Sequence, residues 1–153
     1  MSTGEQQRAT EAFLHQKIPL TRAMGVQVAS CDDDEGVVLT APISANHNHL
    51  GTAFGGSLAA LMMLAGYALL WLELKNAEAH VVVSETRMKF RRPVRGEIRA
   101  TCRRPGTAVL KKFLADFAAK GKARIGLSVV VTGEGESEAA VFEGTYVAFA
   151  SER

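Results

Sequence analysis

Asn46-His-Asn-His-Leu-Gly-Thr-Ala-Phe-Gly-Gly56 runs straight into an almost unbroken apolar stretch from Ser57 to Leu72, and the first charge after it is Glu73. Ala, Leu and Met dominate, and no β-branched residue occurs from Gly55 to Leu74. High helix propensity over about 18 residues predicts a helix that is apolar on nearly every face. Such a helix must be enclosed by lipid or by protein. The run is a little short for a membrane span and lacks basic flanks, so a buried core helix is the expectation and no membrane partner is implied.

Working outward, the flanking segments supply the wrapping. Met1 to Gly4 reads as frayed. Glu5 to Lys17 reads as an amphipathic helix with Ala9, Ala12, Phe13 and Gln16 on one side, and Leu20 to Met24 as one further turn before Gly25. Strands are expected over Val26–Cys31 and Val37–Ala41, joined as a hairpin by the acidic turn Asp32–Gly36. Lys75-Asn76-Ala77 is the expected exit of the long helix. His80 to Phe90 is the clearest strand, alternating strictly from Ser84, with Glu85 sharing a face with Val83 and Arg87. Further strands follow at Glu97–Arg103, Arg124–Thr132 and Ala139–Ala150, the last two flanking a Gly133–Ser137 turn. A helix is expected over Gly106–Ala119. A curved, mostly antiparallel sheet around one helix accommodates all of these, an α+β architecture in one domain, 1–153, with 1–24 as a helical extension.

Bulk composition narrows the function. The chain has 153 residues and a net charge of only +2, which gives a nucleic-acid role little support. Lys89, Arg91, Arg92 and Arg95 bunch together, as do Lys111, Lys112, Lys120, Lys122 and Arg124. A solvated face and docking for a phosphorylated ligand both fit. Cys31 and Cys102 are too far apart for metal-ligand spacing, so no metal is expected. The polar start, with Glu5, does not read as a signal peptide, and a reducing cytoplasm is the expected setting.

Asn48-x-x-Gly51-x-x-Phe54-Gly55-Gly56 resembles the hotdog thioesterase motif Asn-x-x-Gly-x-x-His-Gly-Gly. Phe90-Arg-Arg-Pro-Val-Arg-Gly96 resembles the Tyr-x-x-Pro-x-x-Gly strand exit of the same proteins. Leu20-Thr-Arg-Ala-Met-Gly25, Leu39-Thr-Ala-Pro42 and Gly51–Leu58 are similar to the thioesterase domain at the C-terminus of YiiD proteins. The resemblance covers roughly Leu20 to Ala148. It implies a hotdog fold, paired subunits as a dimer or dimer of dimers with the active site between them, and an acyl-CoA or acyl-carrier-protein thioester as substrate. Coenzyme A or phosphopantetheine would then belong to the substrate, and no separate cofactor is implied.

The residue chemistry is compatible with that class. Gly55 and Gly56 let a ligand approach the first helical N–H groups, which lack intrahelical partners and face a favourable dipole. A carbonyl against the Gly56 N–H would be polarised. Asn48 can orient a water or the thioester oxygen, and Asn46 can do the same from the adjacent turn, although both also suit ordinary Asx turns. Ser57 and Phe54 border the glycines, and Phe54 stands where the motif has His. Helix acids of related enzymes correspond to Met63 here. Glu73 lies ~25 Å along the helix from Gly56. The nearest substitute as general base is Glu85, with a solvated strand face or an ion pair to Arg87 as alternatives. His49, like His47, is an alternative base or an exposed loop residue. Met62, Met63, Leu69 and Trp71 read as acyl-tunnel lining or plain core, and Arg91 and Arg92 as phosphate contacts at the cleft mouth. Thioester hydrolysis is the primary expectation, with a non-catalytic acyl-thioester binding module or a hotdog hydratase or dehydratase as alternatives.

Overall fold

A computed structural model describes residues 3–75, 78–133, 135 and 137–151. The elements run α1 (Thr3–Lys17), α2 (Leu20–Met24), β1 (Gln27–Asp32), β2 (Gly36–Ala41), α3 (Gly55–Leu74), β3 (Ala79–Phe90), β4 (Ile98–Cys102), α4 (Thr107–Lys120), β5 (Lys122–Thr132) and β6 (Glu138–Ala150). A short 3₁₀ turn, Ile43–Ala45, lies between β2 and the glycine loop. Asn76 and Ala77 of the expected helix exit, and positions 134 and 136 of the last turn, lie outside the described residues. Helix α1 starts earlier than the sequence suggested, at Thr3.

The six strands form one antiparallel sheet in the order β1-β2-β4-β5-β6-β3. Helix α3 lies against it and touches β2, β3, β4, β5 and β6. This is the hotdog arrangement. Leu58, Leu61, Met62, Leu64, Ala65, Ala68, Leu69 and Leu70 are buried, so the rod is enclosed by protein despite being long and apolar enough to span a bilayer. Met62 and Leu69 are core residues. Met63 is only half-buried, and Phe13 of α1 stacks on Trp71 with ring centroids 4.4 Å apart. Leu110 and Phe113 of α4 join the same core.

Two glycines are dictated by close approach. Gly36 opens β2 at φ +88°, and a Cβ there would strike the Cys102 carbonyl and the Arg104 amide nitrogen. Gly66, mid-α3, lets the Tyr146 hydroxyl reach the helix backbone and donate to the Met63 carbonyl at 2.8 Å.

Helix α1 does not bury the face its apolar residues suggested. Ala12 and Gln16 are exposed, whereas Thr10 and Leu14 are buried. The reason is a polar stripe at i, i+4, i+8 that meets the outer edge of β1. Gln7 Nε2 donates to the Ala29 carbonyl at 2.8 Å, Glu11 Oε1 accepts the Val28 N–H at 2.9 Å, and His15 Nε2 bonds the Val26 carbonyl at 2.7 Å. These side chains occupy backbone groups that an edge strand leaves open. Glu11→Ala strips the acceptor from a part-buried amide, so we expect it to cost about 1–2 kcal/mol. A lower urea midpoint with an unchanged m-value would register that loss.

Cys31 and Cys102 are both free and buried. Burial pushes the Cys102 thiol up to about 12, from an ordinary value near 9.0. The Cys31 thiol is raised too, first by burial and then by the neighbouring Asp32 carboxylate. Above pH 9 the unfolded chain loses protons that the folded chain keeps, so stability falls as pH rises. Cys102, the more strongly raised of the two, should carry most of that decline above pH 9. Urea titrations across pH 8–11 should show that decline, and Cys102→Ala should flatten it.

A candidate active-site cleft at the start of the buried helix

The site is built where the glycine loop meets the exit of β3. Between β2 and α3 the chain is pinned by Asn46, which is buried. Its Nδ2 donates to the Met24 and Pro42 carbonyls, both at 2.8 Å, and its own carbonyl accepts the Phe54 N–H at 2.7 Å. The side-chain Oδ1 is buried without a protein donor. Asn46 thus fixes the loop and does not line the cleft, contrary to its expected contact with substrate. Burial behind the turn is the cause.

Asn48 folds its loop around itself. Its Oδ1 accepts the Leu50 N–H at 2.9 Å and the Thr52 N–H at 3.2 Å, while its backbone N–H donates to the Thr52 carbonyl at 2.7 Å. Nδ2 donates one hydrogen to Thr52 Oγ1 at 2.9 Å. An amide nitrogen carries two, so a second donor remains. The loop is tied to the β3 exit by the Ala53 N–H, which donates to the Val94 carbonyl at 2.8 Å.

These ties border an open cleft of about 340 Å³ lined by Asn48, Gly55, Leu58, Phe90, Arg91 and Arg92, with Thr52, Ala53, Pro93 and Val94 completing its walls. The two stretches quoted for the family resemblance therefore meet in space. Helix α3 begins at Gly55, its flanking Phe54 offers no side-chain cap, and the Leu58 N–H is the first to bond back into the helix, to the Phe54 carbonyl at 3.0 Å. The preceding amides, of Gly55, Gly56 and Ser57, are the free positive end of the rod. Phe54 is half-exposed, and its ring folds back over Gly56 so closely that a Cβ there would strike it. Phe90 gives the cleft an exposed apolar wall, whereas Phe54 and Leu50, exposed on the loop, do not line it.

At the mouth, Arg91 pairs loosely with Glu138 at 3.5 Å, both exposed. Arg92 is exposed beside it. Met63 lies two turns along α3, outside the cleft, on the half-buried side of the helix. His49 is exposed on the loop, His47 Nδ1 bonds the Asn48 carbonyl at 2.9 Å, and neither lines the cleft. At the opposite end of the rod Glu73 is engaged by Arg104, at 2.6 and 2.9 Å. That contact with Glu73 holds the Arg104 guanidinium above its usual range.

Glu85 needs correction. A bulge slips the β3–β6 register from Val83↔Tyr146 to Glu85↔Thr145. Tyr146 is fully buried, so Val83 faces the helix, whereas Glu85 and Arg87 turn to the outer face. There Glu85 borders a separate open depression of about 390 Å³ with Gly126, Ser128 and Thr145. Within one chain it shares no wall with the Gly55 cleft. No Asp, Glu or His lines the cleft among the described residues, nor does any group of His, Cys, Asp and Glu there make a metal site.

Comparison with known proteins gives the site its context. A family model described as "Putative thioesterase (yiiD_Cterm)" matches residues 7–150. A crystal structure of a protein of unknown function from Chlorobaculum tepidum superposes with TM-score 0.86 at 32% identity, over 95% of this chain and 94% of that one. A structure from Shewanella oneidensis described as a "putative thioesterase" gives 0.80 at 25%, over 97% and 99%. A Pseudomonas aeruginosa protein described as a "probable thioesterase" gives 0.80 at 25%, over 94% and 95%. With its hotdog sheet, its uncapped glycine start to α3 and a family match over nearly its whole length, the chain belongs to the YiiD C-terminal thioesterase family.

Proposed function

We propose that the protein hydrolyses acyl thioesters of coenzyme A or of the phosphopantetheine arm of an acyl-carrier protein, working as a homodimer or a dimer of dimers. The observation that carries this reading is the uncapped start of α3 opening beside a cleft lined by Leu58, Phe90 and two arginines. The thioester carbonyl lodges with its oxygen toward the Gly56 N–H, next to those of Gly55 and Ser57. The second Nδ2 hydrogen of Asn48 reaches the same oxygen. Negative charge gathers there as water adds to the carbonyl carbon; the C–S bond then breaks and the thiol leaves with a proton. Donors fixed before the reaction need no reorganisation, and each is worth about 3 kcal/mol of barrier. Leu58, Phe54 and Phe90 take the start of the acyl chain, with Met63 further along, while Arg91 and Arg92 meet the phosphates.

Binding without turnover is the second reading, and one observation favours it: the cleft wall offers no carboxylate or imidazole to activate water. A hydratase reading loses its support, because neither loop histidine lines the cleft. Thiol release from an acyl-CoA panel of increasing chain length separates the two. Hydrolysis at any chain length supports the enzyme. Micromolar binding across the panel with no thiol released would replace it with a binding module.

A further inference from the structure

Of the seven phenylalanines, five are buried or half-buried, and the other two, Phe54 and Phe90, are each 54% exposed. Both stand at the start of α3. A Cβ added at Gly55 would lie 3.9 Å from Cε1 of the Phe90 ring. One added at Gly56 would strike Cε2 of the Phe54 ring, with Cζ at 3.0 Å and Cδ2 at 3.1 Å. Successive helical residues point about 100° apart, so the two rings flank the glycine pair on different sides. Exposed apolar surface gathered at one place marks a binding site, whereas single exposed residues do not.

We propose that Phe54 and Phe90 form an aromatic slot over the free amides of α3, which admits acyl groups flat at the carbon next to the carbonyl and rejects those branched there. The inference rests on the hydrolase reading above and names the acyl class that reading leaves open.

Both rings hang from fixed backbone. The Phe54 N–H donates to the Asn46 carbonyl at 2.7 Å, and its carbonyl accepts the Leu58 N–H at 3.0 Å. Phe90 pairs with Ala140 at the end of β3, and the next N–H, of Arg91, donates to the Ala139 carbonyl at 2.8 Å. Each ring therefore keeps only its two side-chain torsions. A thioester oxygen bonded to the Gly56 N–H sits about 2.9 Å from that nitrogen. The nitrogen is about 1.5 Å from a Cα that the Phe54 ring already covers. The carbon next to the carbonyl is one bond from the reacting carbon, so it stays beside that ring for as long as the oxygen is held. The thioester group is planar. A straight chain, or an aromatic ring conjugated with the carbonyl, continues its plane and can lie against a phenyl face in offset stacking. A methyl branch at the same carbon leaves the plane and meets a ring, which must turn from its staggered position to make room.

Three coenzyme A thioesters test the slot, because Arg91 and Arg92 then meet the same phosphates throughout. For the wild type, kcat/KM for thiol release from butyryl-CoA and from benzoyl-CoA should each exceed that from isobutyryl-CoA about tenfold or more. Benzoyl is larger than isobutyryl but flat, so the panel separates thickness from bulk. Phe54→Ala should bring isobutyryl-CoA to within about threefold of butyryl-CoA, and Phe54→Leu should fall between. A ratio taken within one variant cancels any loss of folded protein. Equal values for butyryl-CoA and isobutyryl-CoA in the wild type overturn the slot and leave hydrolysis standing. So does isobutyryl-CoA ahead of benzoyl-CoA, or a ratio that neither Phe54 variant moves. Thiol release from none of the three overturns hydrolysis instead. Dissociation constants on the same panel then judge the slot: the same order is expected, and equal values overturn it.

Discussion

Gly66→Ala is expected to lower the stability of the fold by about 3–4 kcal/mol, although alanine is the better helix former. The propensity gain is only about 1 kcal/mol. Against it stands a new Cβ driven into the Tyr146 hydroxyl, 2.6 Å from Cζ and 2.9 Å from Cε2. Tyr146 is fully buried, so its ring has nowhere to swing. Overpacking costs about 1–3 kcal/mol, and a buried hydroxyl torn from the Met63 carbonyl adds about 1–3 more. Trp71, the single tryptophan, offers a fluorescence signal for urea unfolding. Tyr146→Phe alone should cost about 1 kcal/mol, because the Met63 carbonyl keeps its place in the helix ladder. Combining the two should recover part of the loss, since the atom nearest the new Cβ is gone; additive losses would refute the contact as the cause.

The second large effect belongs to the loop. Asn48→Asp keeps the oxygen that holds the Leu50 and Thr52 amides but replaces the Nδ2 donor with an acceptor. The turn should survive, with a melting temperature within a few degrees of wild type. The transition state loses a donor and meets a negative charge, so kcat should fall about 10²–10³-fold with KM nearly unchanged. Asn48→Ala removes the turn bonds as well and should lower both kcat and stability. A wild-type kcat for Asn48→Asp would take Asn48 out of the chemistry and leave it as a loop fastener.

What the sequence discloses depends on whether the deciding contact is local. Helix α3 is legible because every position from Gly55 to Leu74 favours the same answer: helical, apolar and enclosed. Both flanking hairpin strands follow from alternation and turn residues. The cleft is half legible: glycine loop and Arg-Arg-Pro exit can each be seen, but the Ala53–Val94 bond that joins them depends on how the chain returns. Glu85 is misread for a definite reason. Val81, Val82 and Val83 are apolar at consecutive positions, so they carry no phase, and the slip at Ser84 passes unseen. The polar stripe of α1 is invisible by the same logic, since Gln7, Glu11 and His15 look like a wet surface until the strand they bond is known.

That stripe also has a bearing on how the chain comes off a ribosome. Synthesis runs from the N-terminus, so the residues that close off β1 are made before the strand itself emerges. Nascent β1 can dock onto a helix already present and need not wait, sticky and bare, among other growing chains. Among the described residues no such segment covers the free side of β3, the other edge of the sheet.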